Sequence, residues 1–373
     1  MKKILSILLF FCIIFSISAQ NNNAVKIKFY GGYVLPTDMY KQLGPNGPAL
    51  GGELNYEILP AGRYSWEKHW GYPTIGGGVL GVDLGNPTTL GMMIAAYPYV
   101  NWNFVRTDVI EFGLKTGMGV AFFNKTNAAN GGYVAAYLSA GINLQFNINK
   151  SAAITLDAGY NATNNGEIFL PNTTMQILYG SLGFRYRMGS AAYSRPRMSR
   201  ADNLPYKFMI NGFIDGGFRN DRRNKDPEVQ SNIHGDILWK ITNCYALGPG
   251  VDLGFTPNGI RLSLAISNAF TMGRVTGLID AGYYLYDKVA INNGFKGLWY
   301  KFDPDKVDGP LYMRVGLRVR VFDNIFVQAT CKTHLSRFDY IGFGVGYSIP
   351  YSTARGSRFG GRTSRYGYGY SRR

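Results

Sequence analysis

The run Leu311 to Val321 alternates without a break: Met313, Val315, Leu317, Val319 and Val321 are apolar, and Arg314, Gly316, Arg318 and Arg320 lie between them. Successive side chains of a β-strand point to opposite faces, so this run predicts a strand with one apolar and one cationic face. Tyr133 to Asn149 repeats the pattern, with Ile142, Leu144, Phe146 and Ile148 set against Asn143, Gln145 and Asn147. A soluble sheet can carry such a pattern. So can an outer-membrane barrel, whose apolar face meets lipid and whose polar face lines the lumen. On the barrel reading, Arg314, Arg318 and Arg320 point inward.

The same period predicts strands along the whole chain. In the first half they cover Val25–Val34, Ala49–Leu59, a Gly-rich run ending near Asn86, Leu90–Val105, Val109–Phe123, Tyr133–Asn149, Ala152–Tyr160 and Thr174–Met188. In the second they cover Tyr206–Phe218, Ser231–Ile241, Tyr245–Phe255, Ile260–Phe270, Val275–Tyr286, Leu311–Val321, Ile325–His334 and Tyr340–Ile349. That is about eight in each half, most near the roughly 9–11 residues a tilted strand needs to cross a bilayer. Tight turns such as Thr242-Asn243 and Asp323-Asn324 alternate with long polar stretches such as Arg219–Gln230 and Lys288–Pro310. Short turns on one rim and long loops on the other are the outer-membrane pattern. The halves end alike, LGFRYRM (Leu182–Met188) against FGVGYSI (Phe343–Ile349). This points to an internal duplication, and leaves open two eight-stranded barrels or one of about sixteen strands.

Composition sharpens the choice. Of 373 residues, 15% are aromatic and only 17% charged, with 48 Gly. That balance suits strands with aromatic girdles and glycine bends. Residues 1–20 read as a secretory signal: Lys2 and Lys3, an apolar core from Ile4 to Ile17, and a Ser18-Ala19-Gln20 cleavage site. No later run reaches the length of a membrane helix. The expectation is an exported all-β transmembrane barrel protein in the cell outer membrane. Its parts are a first barrel half at 21–189, a linker or loop at 190–205, a second half at 206–350, and an Arg/Gly/Tyr-rich tail at 351–373 that reads as disordered.

The formal net charge of +16 could point to nucleic acid, but export excludes that partner. The phosphates of lipopolysaccharide and anionic outer-membrane lipids fit instead, beside the plainer reading of a basic surface with no dedicated partner. No protein partner is identified by any motif. Cys12 leaves with the signal. Cys244 and Cys331 remain in strand-like runs and read as two small apolar side chains, although export permits a disulfide.

Candidate chemistry is sparse. The histidines are His69, His234 and His334, and no serine-hydrolase elbow, zinc-protease motif or paired-Cys spacing is present, so no cofactor or metal is expected. His69 reads as an interfacial side chain beside Trp70, and His234 as an inward polar residue. In Lys332-Thr333-His334-Leu335-Ser336, His334 and Ser336 are two apart. On one strand they would share a face and could act as base and nucleophile, given an acid to orient the imidazole. Asp339 is the nearest acid in sequence.

The stretch WEKHWGYPTIGGGVLGVDLGN (Trp66–Asn86) followed by LGMMIAAYPYV (Leu90–Val100) resembles the outer-membrane acyloxyacyl hydrolases of Bacteroidetes-type bacteria, relatives of lipid A 3-O-deacylase. The likeness continues through Met188 and returns in the last strand. It implies an outer-membrane barrel that hydrolyses ester-linked acyl chains of lipopolysaccharide, with a His-x-Ser-Asn motif late in the first half. That motif falls on Asn161, Thr163 and Asn164, with Pro171-Asn172 after it. The base position is therefore Asn161, which cannot accept a proton at ordinary pH, and the nucleophile position is Thr163. Only Asn164 keeps the motif's identity. The resemblance thus implies either a deacylase-like hydrolase or a barrel that has lost the chemistry and binds lipopolysaccharide or a protein partner.

Overall fold

The computed structural model describes residues 23–36, 44–60, 62, 65–127, 129–166, 168–169, 174–188, 207–221, 226–288, 310–334 and 337–351. The expected signal, the linker at 190–205 and the basic tail lie outside them. The first eight strands are β1 (Asn23–Val34), β2 (Ala49–Ile58), β3 (Thr74–Asp83), β4 (Met92–Arg106), β5 (Ile110–Phe123), β6 (Val134–Asn147), β7 (Ala152–Asn164) and β8 (Met175–Met188). The next eight are β9 (Phe208–Asp221), β10 (Asp226–Lys240), β11 (Tyr245–Thr256), β12 (Gly259–Met272), β13 (Val275–Asp287), β14 (Leu311–Arg320), β15 (Ile325–His334) and β16 (Arg337–Tyr351). One short helix, α1 (Ser65–His69), lies between β2 and β3.

Each set of eight closes on itself as an antiparallel barrel. Successive strands pair as hairpins, and the seams join β1 to β8 and β9 to β16. The alternative left open by the sequence is settled: there are two eight-stranded barrels. Closure matters because hydrocarbon offers no hydrogen bonds, so every backbone N–H and C=O must be satisfied between strands. The resembling runs Leu182–Met188 and Phe343–Ile349 lie in the two closing strands.

Side-chain alternation then sorts the residues. In the first barrel Ile27, Phe29, Leu54, Val79, Ile94, Leu138, Ile142, Leu182 and Phe184 point outward, Phe29 being 80% exposed. In the second, Ile214, Ile233, Ile237, Val251, Leu264, Ile266, Val319, Val327, Phe343 and Val345 do the same. Apolar surface this continuous is foreign to a soluble monomer and is what a lipid-facing barrel presents. Trp70 meets Trp102 edge-on at 5.3 Å, and Phe208 stacks on Trp239 at 6.2 Å, both near strand ends where aromatic rings suit the membrane interface.

The inward faces carry the polar residues, as predicted for Arg314 and Arg318, which are 0% and 4% exposed, and for the half-buried Arg320. They do not line an open lumen. In the first barrel Lys28 is ion-paired with Asp157, and Lys115 Nζ lies 2.8 Å from Glu53 Oε1. Glu57 is gripped by Lys26 at 2.7 Å and Arg185 at 2.9 Å. Tyr97 and Tyr99 donate to Glu53 and Glu57 at 2.5 and 2.9 Å. Buried charges persist only when paired in this way. Toward the rim opposite the chain's entry, the same barrel is filled by Val34, Leu80, Val82, Met93, Tyr137, Met175 and Ile177, with Leu84 and Leu90 from the β3–β4 connection.

In the second barrel the apolar layer lies at the entry rim instead: Met209, Leu238, Ala246, Ala269 and Leu278. Beyond it Arg314 donates to Asp280 at 2.8 Å and to Asp252 at 3.1 Å, and Lys332 reaches Asp252 at 2.8 Å. A Cβ on Gly282 would sit 2.1 Å from the Tyr312 ring, so this inward glycine is what admits the ring. The rims follow the expected alternation only in part. At the exit rim of the second barrel, the β11–β12 and β15–β16 connections are as tight as the turns at the entry rim. Cys244 is buried, Cys331 is half-buried, and neither is bridged.

Candidate functional site

Three positions carry the motif likeness, and β7 brings them together near its exit-rim end. Strand alternation divides them. Asn161 and Thr163 continue the inward row of Thr155 and Asp157, and are 1% and 3% exposed. Asn161 Nδ2 donates to Tyr30 Oη at 2.8 Å, and Tyr30 stacks on Tyr179 at 5.1 Å. The Asn161 Oδ1 and Thr163 Oγ1 atoms are buried with no hydrogen-bond partner. Asn164 has the opposite parity and is half-buried on the outer side, where its Nδ2 donates to Thr174 Oγ1 at 2.8 Å. So the base and nucleophile positions face a packed interior, and only Asn164 faces outward. The signal was present in the sequence, because Asn161 shares parity with Asp157 while Ile154, Leu156 and Tyr160 take the other face. Pro171-Asn172 lies outside the described residues.

Of the second expected pair only His334 is described: β15 ends at His334, which pairs across to Arg337, and Ser336 lies outside the described residues. His334 is buried on the inward row of Lys332, and its Nε2 lies 3.5 Å from Asp339 Oδ2. The register shift between Lys332 and Thr333 brings β16 round so that Asp339 faces the barrel interior. Its carboxylate is also shared: Arg261 Nη1 donates to Oδ2 at 3.0 Å, and Arg219 Nε lies 3.4 Å from Oδ1.

Deeper in, an unforeseen network surrounds His234. Arg314 Nη2 donates to His234 Nδ1 at 2.6 Å, and His234 Nε2 lies 3.5 Å from Asp236. The His234 ring packs on Phe213 at 4.5 Å. His234 is inward, as its place in the alternation implied, but its partners come from strands up to 80 residues away. No grouping of His, Cys, Asp and Glu able to hold a metal ion occurs among the described residues.

Two closed barrels with apolar skins and ion-paired interiors define an outer-membrane β-barrel protein. Residues 206–351, the span of the second barrel, match the family model of the acyloxyacyl hydrolase C-terminal domain. The chain is thus similar to the acyloxyacyl hydrolase family, and the match lies on the second barrel, whereas the resemblance read from the sequence falls mostly in the first half. Among solved structures, the outer membrane enzyme PagL is 17% identical over 43% of this chain and 98% of its own, with a TM-score of 0.29. A de novo designed transmembrane β-barrel is 10% identical over 40% of this chain and 99% of its own, at 0.25. A Rhodopseudomonas blastica porin mutant is 9% identical over 88% of this chain and 99% of its own, at 0.17. No curated protein matches.

Proposed function

We propose that this protein is a non-catalytic relative of the acyloxyacyl hydrolases, embedded among outer-membrane lipids and contacting lipopolysaccharide through its surface rather than cleaving it. The observation that carries this reading is the placement of Asn161 and Thr163. One lacks a basic nitrogen lone pair, and both are turned away from lipid into a filled barrel. An acyl chain in the bilayer has no approach to that face. Rebuilding the motif with Asn161→His and Thr163→Ser therefore leaves lipid A unchanged, because the new imidazole and hydroxyl would lie inside. Mass spectrometry of lipid A from cells with and without the protein is the deciding measurement. Loss of an acyl chain in the presence of the wild type would overturn the reading.

A second reading keeps the chemistry and moves it to the second barrel. It rests on the 3.5 Å approach of His334 Nε2 to Asp339 Oδ2, which sets an acid beside an imidazole. On that reading the wild type deacylates lipopolysaccharide, and His334→Ala lowers the rate by about 10²–10⁴-fold. Two arginines already neutralise Asp339, which favours a structural pair and places this reading second.

A further inference from the structure

The inward arginines of β14 are held very differently. Arg314 uses Nε, Nη1 and Nη2 on Asp280, Asp252 and His234. Arg318, two steps of the alternation further on past Gly316, donates only from Nε, to Gln328 Oε1 at 3.0 Å. Its guanidinium lies 4.0 Å from the Phe326 ring centre and 5.6 Å from that of Phe213. Gly346 makes this possible, since a Cβ there would meet the Phe326 ring at 2.2 Å. Nη1 and Nη2 make no hydrogen bond, and neither does Gln328 Nε2. Nη2 comes no nearer than 3.7 Å to Asp236 Oδ2. Asp236 is already engaged, accepting from Asn211 Nδ2 at 2.5 Å and facing His234.

A buried guanidinium gains most from bonds to an anion, and its open fork is costly to leave unfilled. The cationic row continues toward the entry rim. Arg320 follows on the same face of β14, and Lys240, at the end of β10, lies within electrostatic reach of it. Arg318, Arg320 and Lys240 outweigh Asp236 there, since the other nearby acid, Asp280, is taken up by Arg314. We propose that Arg318 and Gln328 form an oxyanion-binding site inside the second barrel, entered at the rim that carries Arg320, along β14 and β15 and beside the apolar layer that β9 to β13 supply. The planar fork and the adjacent amide supply donors that match two oxygens of one phosphate or carboxylate group. The rings of Phe326 and Phe213 hold the guanidinium in place before the anion arrives.

The test uses the full chain refolded in zwitterionic detergent, titrated calorimetrically with inorganic phosphate and separately with acetate. A second arm reconstitutes it in phosphatidylcholine vesicles with and without phosphatidylglycerol. Saturable binding of either free anion assigns a soluble oxyanion. Saturation only with phosphatidylglycerol assigns a lipid headgroup. In both cases Arg318→Leu weakens binding at least tenfold, Gln328→Leu weakens it several-fold, and added salt weakens the wild type further. If Arg318→Leu loses the heat-modifiable folded band, Arg318→Lys takes its place, keeping the charge and losing the fork. Absence of saturable binding in both arms overturns the proposal, as does equal binding by wild type and Gln328→Leu together with either Arg318 variant.

Discussion

The two barrels share strand number, closure and an apolar skin, yet their interiors are built from different chemistry. The first pairs Lys26, Lys28 and Lys115, with Arg185, against Glu53, Glu57 and Asp157, helped by the hydroxyls of Tyr97 and Tyr99. The second pairs Arg219, Arg261, Arg314 and Lys332 against Asp252, Asp280 and Asp339, with two histidines drawn in. Their apolar layers sit at opposite rims. The outer faces are alike because both meet one solvent, lipid. The inner faces meet only themselves, so different ion-pair networks serve. The solutions differ in reach: a lysine is a point charge, whereas a guanidinium fork ties several acceptors at once.

The largest effect expected from this contrast is at Arg314. Arg314→Met strips Asp280 of its cation and leaves Asp252 with Lys332 and the His234 ring, and removing one partner of a buried pair costs about 3–5 kcal/mol. The urea midpoint of the heat-modifiable gel band measures it; a loss under about 1 kcal/mol would show that Arg314 is not the hub of the second barrel. Next come Phe29→Arg and Phe343→Arg, both mid-strand and outward. Each should cost about 2–4 kcal/mol in a bilayer, and a clear inequality between them would break the claim that the two skins are equivalent. Lys26→Met in the first barrel should cost less than Arg314→Met, about 1–3 kcal/mol, because Glu57 keeps Arg185 and Tyr99. A larger loss than at Arg314 would reverse the comparison. Smallest is Arg320→Gln, half-buried at a rim, expected within about 1 kcal/mol.

Strand positions were legible in the sequence because a period of two survives wherever one face meets lipid. The predicted and observed bounds of Ile325–His334 coincide, and those of Leu311–Val321 differ by one residue. The inward orientation of Arg314 and Arg318 follows from the same alternation. What the alternation cannot encode is which inward groups meet across the barrel. Arg314 and His234 are 80 residues apart, and Lys28 and Asp157 are 129 apart, so their meeting depends on closure and stagger. For Asn161 the parity is readable in the sequence, because it falls four residues beyond the inward Asp157.

The ion pairs that span each interior also bear on the order in which a barrel assembles. Each hairpin joins strands adjacent in sequence, so its ladder can form at little cost in loop entropy, whereas the seam between β1 and β8 must bring distant chain segments together. Lys28 on β1 finds Asp157 on β7 only when that seam shuts, and Arg185 on β8 finds Glu57 on β2 at the same moment. Until then Asp157 and Arg185 stand without these partners on an inner face that must remain wet, while Glu57 has Lys26 and Lys28 faces Glu53 within the first hairpin. The salt bridges therefore act as a latch: they do little for a half-built sheet, and they make the final strand pairing the step that commits the barrel to the membrane.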